Sequence, residues 1–232
     1  MRTGASTLPH SSPWIPPEAP AFLRMAFYEK SALITVKKGD SVVHRNALHQ
    51  HPYQNCLILV QRGLLGRRKC TNDINKQLFT TLLLPNRIYG YSGFLRYSEA
   101  EDTLVALRES QIMVLPITHL KQKLANNCDS RLKQEVITYF LSCLEAEQKS
   151  LFVIATNDTQ DRLSKLFKAL IHSTLGKDHG DKYEVPIRLT NEEVRKLIYT
   201  TKKTINTILP YWKREGLYCQ NEHSTLISKS II

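Results

Sequence analysis

The chain has 232 residues, which is enough for one large domain or two small ones with separate cores. Its 32 Lys and Arg residues outnumber 21 Asp and Glu residues and give a formal charge of +11, which attracts polyanions, nucleic acid before anionic lipid. No run of about 18 uncharged apolar residues is present, so no segment is predicted to cross a membrane. The five cysteines show no C-x-x-C or zinc-type spacing, which argues against a disulfide-stapled secreted domain and indicates reduced, mostly buried thiols.

The first 24 residues are rich in Pro, Ser and Thr and lack the apolar segment of a secretory signal. Low acidic content favours an organelle transit peptide, but the prolines would interrupt its amphipathic helix. We therefore predict a disordered N-terminal extension over residues 1–24, and Met25 is an alternative start.

Residues 25–118 are predicted to form an antiparallel β-roll. Between Ala32 and Pro116, short strand-like runs alternate with turn residues such as Gly, Asn, Asp and Pro. The runs are LITV, SVV, CLILV, QLFTTLLL, TLVAL and QIMVL. Short strands separated by turns in this way are typical of a compact roll or barrel.

A long helix is predicted over residues 119–156. Between Asp129 and Ile154, apolar residues recur at steps of three and four, with charged residues between them. A helix of about 25 residues with one narrow apolar seam usually packs against a partner helix, since the seam would otherwise face water. We therefore predict dimerisation along this helix; packing against its own roll alone is the alternative.

Residues 157–232 are predicted to form a C-terminal domain. Thr156, Asn157 and Asp158 offer N-cap side chains to an amphipathic helix over residues 162–175. The segment GKDHGDKY is interpreted as a loop, and VPIRL as a short strand-like segment that leads into the next helix.

The segment LTNEEVRKLIYTTKKTINTILPYWKREGL, residues 189–217, predicts a helix-turn-helix. Thr190 and Glu193 form a capping-box pattern that begins a short first helix. Residues 199–201 form a polar step, and a threonine then caps a second helix. The following GLYCQNEHSTLI predicts strand, turn and strand, which is a hairpin wing. The alternative is a small helical subdomain with a solvated basic face.

The second helix of such a motif can enter the major groove with its N-terminal side chains at the base edges. Lys202, Lys203 and Asn206 are predicted to lie there, because an amide can bond a base edge and cations favour the groove. Threonine hydroxyls and lysine ammonium groups bond phosphate oxygens. The candidates on phosphates are Thr200, Thr201 and Lys213, and the full DNA-binding set adds Thr190 and Thr207.

The order of β-roll, long helix and winged helix-turn-helix, over roughly residues 30–228, resembles the Crp/Fnr family of transcription regulators. LLLPNRIYGYSGFL and the helix-turn-helix segment look most like the global nitrogen regulators of cyanobacteria and red-algal plastids. TKKTI at residues 201–205 matches the family's recognition-helix motif, and Gly39, Gly63 and Gly90 match its roll glycines. The resemblance implies a homodimer that binds a two-fold symmetric site on double-stranded DNA and contacts RNA polymerase, in a plastid or the bacterial cytoplasm.

Several positions depart from the usual helix-turn-helix pattern. A small residue is usual at Arg195 and glycine at Tyr199, because the two helices approach closely and the turn favours positive φ. Pro210 is predicted to kink or end the second helix early. Thr207 stands where the family has an arginine that meets DNA. Arg195, Tyr199 and Pro210 favour the alternative function, a dimeric protein-interaction scaffold with a degenerate winged-helix domain.

No cofactor is predicted. By the resemblance, Glu99, Glu101 and Asp102 stand where a cyclic phosphate would need hydrogen-bond donors, and carboxylates beside a phosphate are unfavourable. The effector pocket is therefore predicted to be lost or altered. The candidate replacements for effector-binding arginines are Arg87 and Arg96.

Neither a metal site nor an enzyme is predicted. His44, His49 and His51 offer imidazoles, but no cysteine or carboxylate cluster completes a ligand set, so a solvated loop is the interpretation. The sequence has no nucleophile elbow, P-loop, GxGxxG motif or paired-acid arrangement.

Overall fold

The computed structural model describes residues 11–44, 52–69, 77–95, 102–127 and 130–232. The fold is α+β, as predicted, with antiparallel sheets and one long helix. Within the described residues, no helix is long and apolar enough to cross a bilayer. Of the five cysteines, Cys143 is buried and Cys56 and Cys219 are partly buried free thiols.

Two four-stranded antiparallel sheets form the N-terminal roll, with strand orders β1-β8-β3-β6 and β2-β7-β4-β5. The apolar runs form strands as predicted, because side chains on the inner face of each sheet pack against the facing sheet. The strands are β1 (Ala32–Val36), β2 (Ser41–His44), β3 (Cys56–Arg62), β4 (Leu65–Lys69), β5 (Leu78–Leu83), β6 (Ile88–Tyr89), β7 (Asp102–Ala106) and β8 (Ser110–Pro116).

Two strands of the roll, β4 and β6, were not predicted. The sequence of β4 is LGRRK, which is too polar to read as a buried strand, yet its first three residues are buried. It pairs with β5 and β7 on its two sides, so its backbone is central in the sheet. Gly63, just before β4, has φ of +100°, and a Cβ there would collide with Ser110. Only glycine fits that turn without strain.

The N-terminal segment differs from the predicted disordered extension, which is wrong for residues 11–24. Trp14 is fully buried, and its carbonyl accepts a hydrogen bond from the Leu82 amide at 2.7 Å. Helix α1 then runs over Ala21–Lys30 and buries Leu23 and Phe27. Packing against the roll orders a segment whose composition alone favours disorder. Residues 1–10 lie outside the described part of the chain.

The helices between the roll and the C-terminal domain are α2 (Tyr91–Leu95), α3 (Ile117–Asn126), α4 (Ser130–Thr156) and α5 (Thr159–Thr174). The prediction of one helix over residues 119–156 is wrong at its start, because α3 ends at an extended residue, Asn127. The long helix itself is α4, with 27 residues. One face of α4 packs on the roll through residues such as Tyr139 and Phe140.

The C-terminal domain contains α5, two hairpins and two short helices. Asp158 caps α5 as predicted, accepting a hydrogen bond from the Asp161 amide at 2.9 Å. The predicted loop GKDHGDKY is instead a hairpin, because its two ends pair and Gly180 turns the chain with φ of +70°. The remaining elements are β9 (Lys177–His179), β10 (Lys182–Val185), α6 (Asn191–Ile198), α7 (Lys202–Arg214), β11 (Tyr218–Gln220) and β12 (Thr225–Ser228).

The wing is the antiparallel pair β11 and β12, as predicted, within a sheet of order β11-β12-β10-β9. The largest apolar cluster does not respect the boundary between roll and C-terminal domain. It joins Phe79 and Leu84 of the roll to Leu166 of α5 and Leu197 of α6, with Trp14 between them. The C-terminal domain is therefore packed against the roll through a shared core.

Candidate nucleic-acid interface

The first helix of the motif begins with the predicted capping box. The Thr190 hydroxyl accepts a hydrogen bond from the Glu193 amide at 3.2 Å, and Glu193 Oε2 accepts one from the Thr190 amide at 2.8 Å. These two bonds satisfy two backbone donors that would otherwise lack partners at the helix start. Val194, Leu197 and the neighbouring Ile198 form its buried face.

The turn after α6 keeps a left-handed residue although that residue is not glycine. Tyr199 has φ of 50° and ψ of 69°, and its side chain is 45% exposed. A left-handed conformation costs about 1–2 kcal/mol for a residue with a Cβ. Arg195 is accommodated on the surface, where its guanidinium bonds Glu192 at 2.6 and 2.7 Å. The turn therefore keeps both bulky residues, with Tyr199 half-exposed and Arg195, 20% exposed, held by its ion pair.

Distant side chains bond the last carbonyl groups of α6 and of the turn. The Trp14 indole donates to the Leu197 carbonyl at 2.9 Å. The Arg162 guanidinium donates to the carbonyls of Ile198 at 3.3 Å and Tyr199 at 3.2 Å. Carbonyls at a helix C-terminus have no partner within the helix, so these bonds stabilise the strained turn.

The second helix, α7, is capped by Thr201, whose hydroxyl accepts a hydrogen bond from the Thr204 amide at 3.1 Å. Pro210 was predicted to kink or end the helix early, and early termination is wrong, since α7 continues to Arg214. Leu209 and Trp212 on either side of the proline are buried, and Trp212 lies 6.2 Å from the Phe167 ring of α5. This packing holds the last turn in place despite the missing amide donor.

The outer face of α7 contains most of the candidate DNA-binding residues. Lys202, Lys203, Asn206 and Lys213 are exposed, and no hydrogen bond or ion pair engages their side chains within the described residues. Thr207 is also exposed, but its hydroxyl donates to the Lys203 carbonyl at 3.0 Å. Positions three, four and seven apart share one face of a helix, so these side chains form a single row.

Three threonines of the candidate set lie off this row. Thr190 caps α6, and Thr201 caps α7 while its hydroxyl lies 2.8 Å from that of Thr204. Thr200 is half-buried in the turn between the helices. The hydroxyls of Thr190 and Thr201 are therefore engaged by the backbone, and their first role is structural.

Helix α6 is fastened to the roll by polar contacts that the sequence did not predict. Arg108, after β7, bonds both carboxylate oxygens of Glu193, at 2.6 and 3.0 Å, and also bonds the Arg188 carbonyl. Lys196 donates to Gln77 Oε1 at 3.1 Å, just before β5. A paired guanidinium and carboxylate give a geometrically specific contact. These bonds set the orientation of the two-helix unit relative to the roll.

The interior between roll and α4 holds a buried charge cluster. Arg67 of β4 bonds Asp102 Oδ2 through Nε and Glu147 Oε2 through Nη1, each at 2.5 Å. Burial alone would lower the pKa of Arg67, but Tyr91 and the two carboxylates raise it well above its usual value. The Arg67 side chain thus fills the space beside Asp102.

Of the two candidate effector-binding arginines, the structure describes Arg87. The donors of Arg87 bond Glu18 Oε1 at 3.0 Å and the carbonyls of Pro16, Pro85 and Ser173. Burial lowers the pKa of Arg87, and the Glu18 carboxylate opposes that effect. The candidates outside the described residues are Arg96, the imidazoles of His44, His49 and His51, and the carboxylates of Glu99 and Glu101.

This chain is similar to known proteins in structure. Neither a family model nor a curated protein matches the sequence. Solved structures do match, and they include OCPA-complexed CprK, with 16% identity, a TM-score of 0.66, and coverage of 96% of this chain and 95% of that chain. A CooA mutant from Carboxydothermus hydrogenoformans matches with 15% identity, a TM-score of 0.68, and coverage of 89% and 87%.

A third similar structure belongs to a regulator of the CRP/FNR family. TTHA1359 from Thermus thermophilus, a transcriptional regulator of the CRP/FNR family, matches with 16% identity and a TM-score of 0.61, over 86% of this chain and 96% of that chain. The fold is that of the CRP/FNR regulators. At these identities the CRP/FNR likeness establishes the architecture alone.

Proposed function

We propose that this protein is a sequence-specific DNA-binding transcription regulator that acts as a homodimer. The observation that carries the proposal is the row of unengaged cations and one amide on the outer face of α7. Residues 202–214 contain four Lys or Arg and no Asp or Glu. A solvated face with a single sign of charge is suited to the phosphates that flank a groove.

The dimensions of α7 suit the major groove. Its 13 residues give a length of about 20 Å at about 1.5 Å per residue, and a B-DNA major groove about 12 Å wide admits a helix. Lys202 and Lys203 occupy its first turn, where the helix dipole adds positive potential. Asn206 follows one turn later and can bond an adenine edge in bidentate geometry.

Replacing Lys202 with alanine is expected to weaken binding to a specific site by about 1–3 kcal/mol, because the variant lacks the side chain that contacts a base edge.

Replacing Lys213 with alanine is expected to weaken binding to all sequences and to reduce the slope of log affinity against log salt by about one, because Lys213 contacts a phosphate. The measurement is a gel shift on specific and random DNA at two salt concentrations.

Lys168→Ala provides the control for Lys202 and Lys213, since Lys168 is an exposed lysine on a different helix, α5. It removes the same charge and should change affinity less than about twofold. If Lys202→Ala left affinities for the operator and for random DNA equally unchanged, the proposed docking of α7 would be wrong.

The residues of the predicted seam, such as Tyr139 and Phe140, are buried on the chain's own roll. The homodimer is supported by a different apolar seam, which α4 exposes. Ile137, Leu141 and Phe152 are 44%, 53% and 68% exposed, and they recur near the heptad spacing of a helix pair. The opposite face of α4 is buried on the roll, so the seam faces away from the chain's own core. Two copies joined along α4 would place two α7 helices on half-sites about 34 Å apart.

Leu141→Glu is expected to raise the dimer dissociation constant at least about tenfold, because it places an unpaired carboxylate in the seam. The matched control is Leu33→Glu on β1, where the native leucine is 56% exposed, and it should leave the dimer intact. Sedimentation velocity at several concentrations measures the effect. A wild-type protein that sediments as a monomer at all of them contradicts the dimer.

The finer assignment to nitrogen control rests on the resemblance of LLLPNRIYGYSGFL and residues 189–217 to the global nitrogen regulators. With it we propose activation through contact with RNA polymerase, in a plastid or the bacterial cytoplasm. Genome-wide recovery of bound DNA tests this assignment. Sites upstream of genes for nitrogen uptake and assimilation are expected, and a set without such genes would contradict it.

The alternative function is a dimeric protein-interaction scaffold. Tyr199 and Tyr211 favour it, since they place two half-exposed aromatic rings, 45% and 47% exposed, beside the α7 row. Aromatic residues are enriched at protein interfaces. A scaffold would retain DNA only weakly and without regard to sequence, so competitor DNA in the gel shift separates the two functions.

A further inference from the structure

A cavity of about 680 Å³ lies between the roll and the C-terminal domain. The roll contributes the turn after β3 and the turn between β5 and β6; the C-terminal domain contributes the end of α5, residues 186–188 and the wing turn. Its volume is within the range of about 300–1,000 Å³ that is usual for small-molecule sites. We call it the interdomain cleft.

Four arginines line the interdomain cleft, in two pairs with different roles. Arg87 is 5% exposed, and its donors are taken by Glu18 and backbone carbonyls, among them Ser173 at the end of α5. Arg108 bonds Glu193 and the Arg188 carbonyl. Each of these two roll arginines therefore bonds a residue of the C-terminal domain across the cleft. These bonds connect the two sides of the cleft.

The second pair of arginines is free to meet a ligand. Arg62, from the end of β3, and Arg188, before α6, are exposed, and within the described residues their side chains have no hydrogen bond or ion pair. They come from opposite domains and line the same cleft. A planar guanidinium can bind phosphate or carboxylate through two parallel hydrogen bonds.

Two carboxylates also line the cleft and would oppose an anion. Glu18 is already paired with Arg87 at 3.0 Å. Glu222 lies in the wing turn, 85% exposed and 4.0 Å from His223. Outside the lining, Glu193 also pairs with Arg108. Against these three carboxylates the four guanidinium groups leave one net positive charge, and the exposed carboxylate of Glu222 is well screened.

The rest of the lining is apolar. Leu84 is buried beneath the cleft, while Leu175 is 88% exposed at its rim. Pro186 and Ile187 continue this wall beside Arg188. A leucine so exposed contributes little to the core, but it can cover the flat or apolar part of a bound molecule.

We propose that the interdomain cleft binds a nucleotide-sized organic anion with at least two phosphate or carboxylate groups and an aromatic or apolar body. Arg62 and Arg188 would bind the anionic groups, and the wall of Leu175, Pro186 and Ile187 would cover the body. Because the ligand touches both domains, its binding favours the docked arrangement of roll and helix-turn-helix. The cleft is thus a site for regulating the orientation of α7.

The test is calorimetric titration of the full chain without DNA, so its outcome does not depend on the proposed DNA binding. The probes are ATP, benzene-1,3,5-tricarboxylate and inorganic tripolyphosphate, each in about 0.15 M salt, where nonspecific charge attraction is screened. ATP or the tricarboxylate is expected to bind one-to-one, and the tighter of the two identifies the anionic group. Tripolyphosphate, which has no apolar body, is expected to bind at least tenfold more weakly than ATP.

Arg62→Gln and Arg188→Gln should each weaken the tighter probe at least tenfold. Arg131→Gln is the control, because Arg131 is exposed at the start of α4 outside the cleft, and it should change affinity less than twofold. The proposal is overturned if neither organic probe saturates, if the two cleft variants bind as tightly as wild type, or if Arg131→Gln weakens binding equally. Tripolyphosphate binding as tightly as ATP would overturn the role of the apolar wall.

Discussion

Arg67→Met is expected to lower the free energy of unfolding by about 3–5 kcal/mol, since it leaves two buried carboxylates without their common cation. Arg67 is 2% exposed and Asp102 fully buried, while the Glu147 side chain is 9% exposed. The Tyr89 hydroxyl donates to Asp102 at 3.1 Å, but a neutral donor does not replace a positive charge. Lys69, 3.5 Å from Glu147, is itself one-third exposed and compensates only in part.

Urea unfolding followed by circular dichroism measures this loss. Arg131→Met is the matched control, because Arg131 forms an exposed ion pair with Glu135 at 3.2 Å, which is worth at most about 1 kcal/mol. A loss in Arg67→Met no larger than in this control would show that the carboxylates of Asp102 and Glu147 are not held in a dry interior.

Trp14→Ala is expected to lower the free energy of unfolding by about 3–5 kcal/mol, the usual cost of removing a buried aromatic side chain. Trp14 lies in the cluster shared by Leu82 of the roll and Val194 of α6, so the cavity opens between the two domains. The variant also loses the hydrogen bond from the indole to the Leu197 carbonyl. The contact between the roll and the helix-turn-helix should therefore weaken as the free energy of unfolding falls.

Trp14→Phe separates ring packing from the hydrogen bond, because it keeps an aromatic ring without the N–H donor. Its expected loss is about 1 kcal/mol from the missing bond, plus a smaller packing term. Urea unfolding of both variants measures the difference. Equal losses in Trp14→Ala and Trp14→Phe would contradict the assignment of most of the effect to packing of the ring.

The strands that were predicted from the sequence are those with runs of apolar residues that are buried in the core of the roll. The run CLILV became β3, with four consecutive buried residues from Leu57 to Val60. Strand β4 could not be predicted in this way, because LGRRK places two arginines and a lysine in five residues. Its burial depends on Asp102 and Glu147, which are 35 and 80 residues away from Arg67 in the chain.

Helices α6 and α7 were predicted to a large extent, because their sequence signals are local. Thr190 and Thr201 each cap a helix by bonding an amide three residues ahead. The consequence of Pro210 was misjudged, because the anchoring of Trp212 against Phe167 involves another helix. The only sequence signal for Trp14 was an apolar pair, WI, among prolines, and that pattern does not reveal a partner.

The sequence by itself determined where helices α6 and α7 begin, which face of α7 is apolar, and which cations remain on its outer face. Caps and periodicity act within a few residues, so they can be read along the chain. Only the tertiary structure decided what fills the roll, what fastens α6 to it and which arginines line the interdomain cleft. Those contacts join residues as far apart as Trp14 and Leu197, 183 positions in sequence, and depend on how the sheets and helices pack.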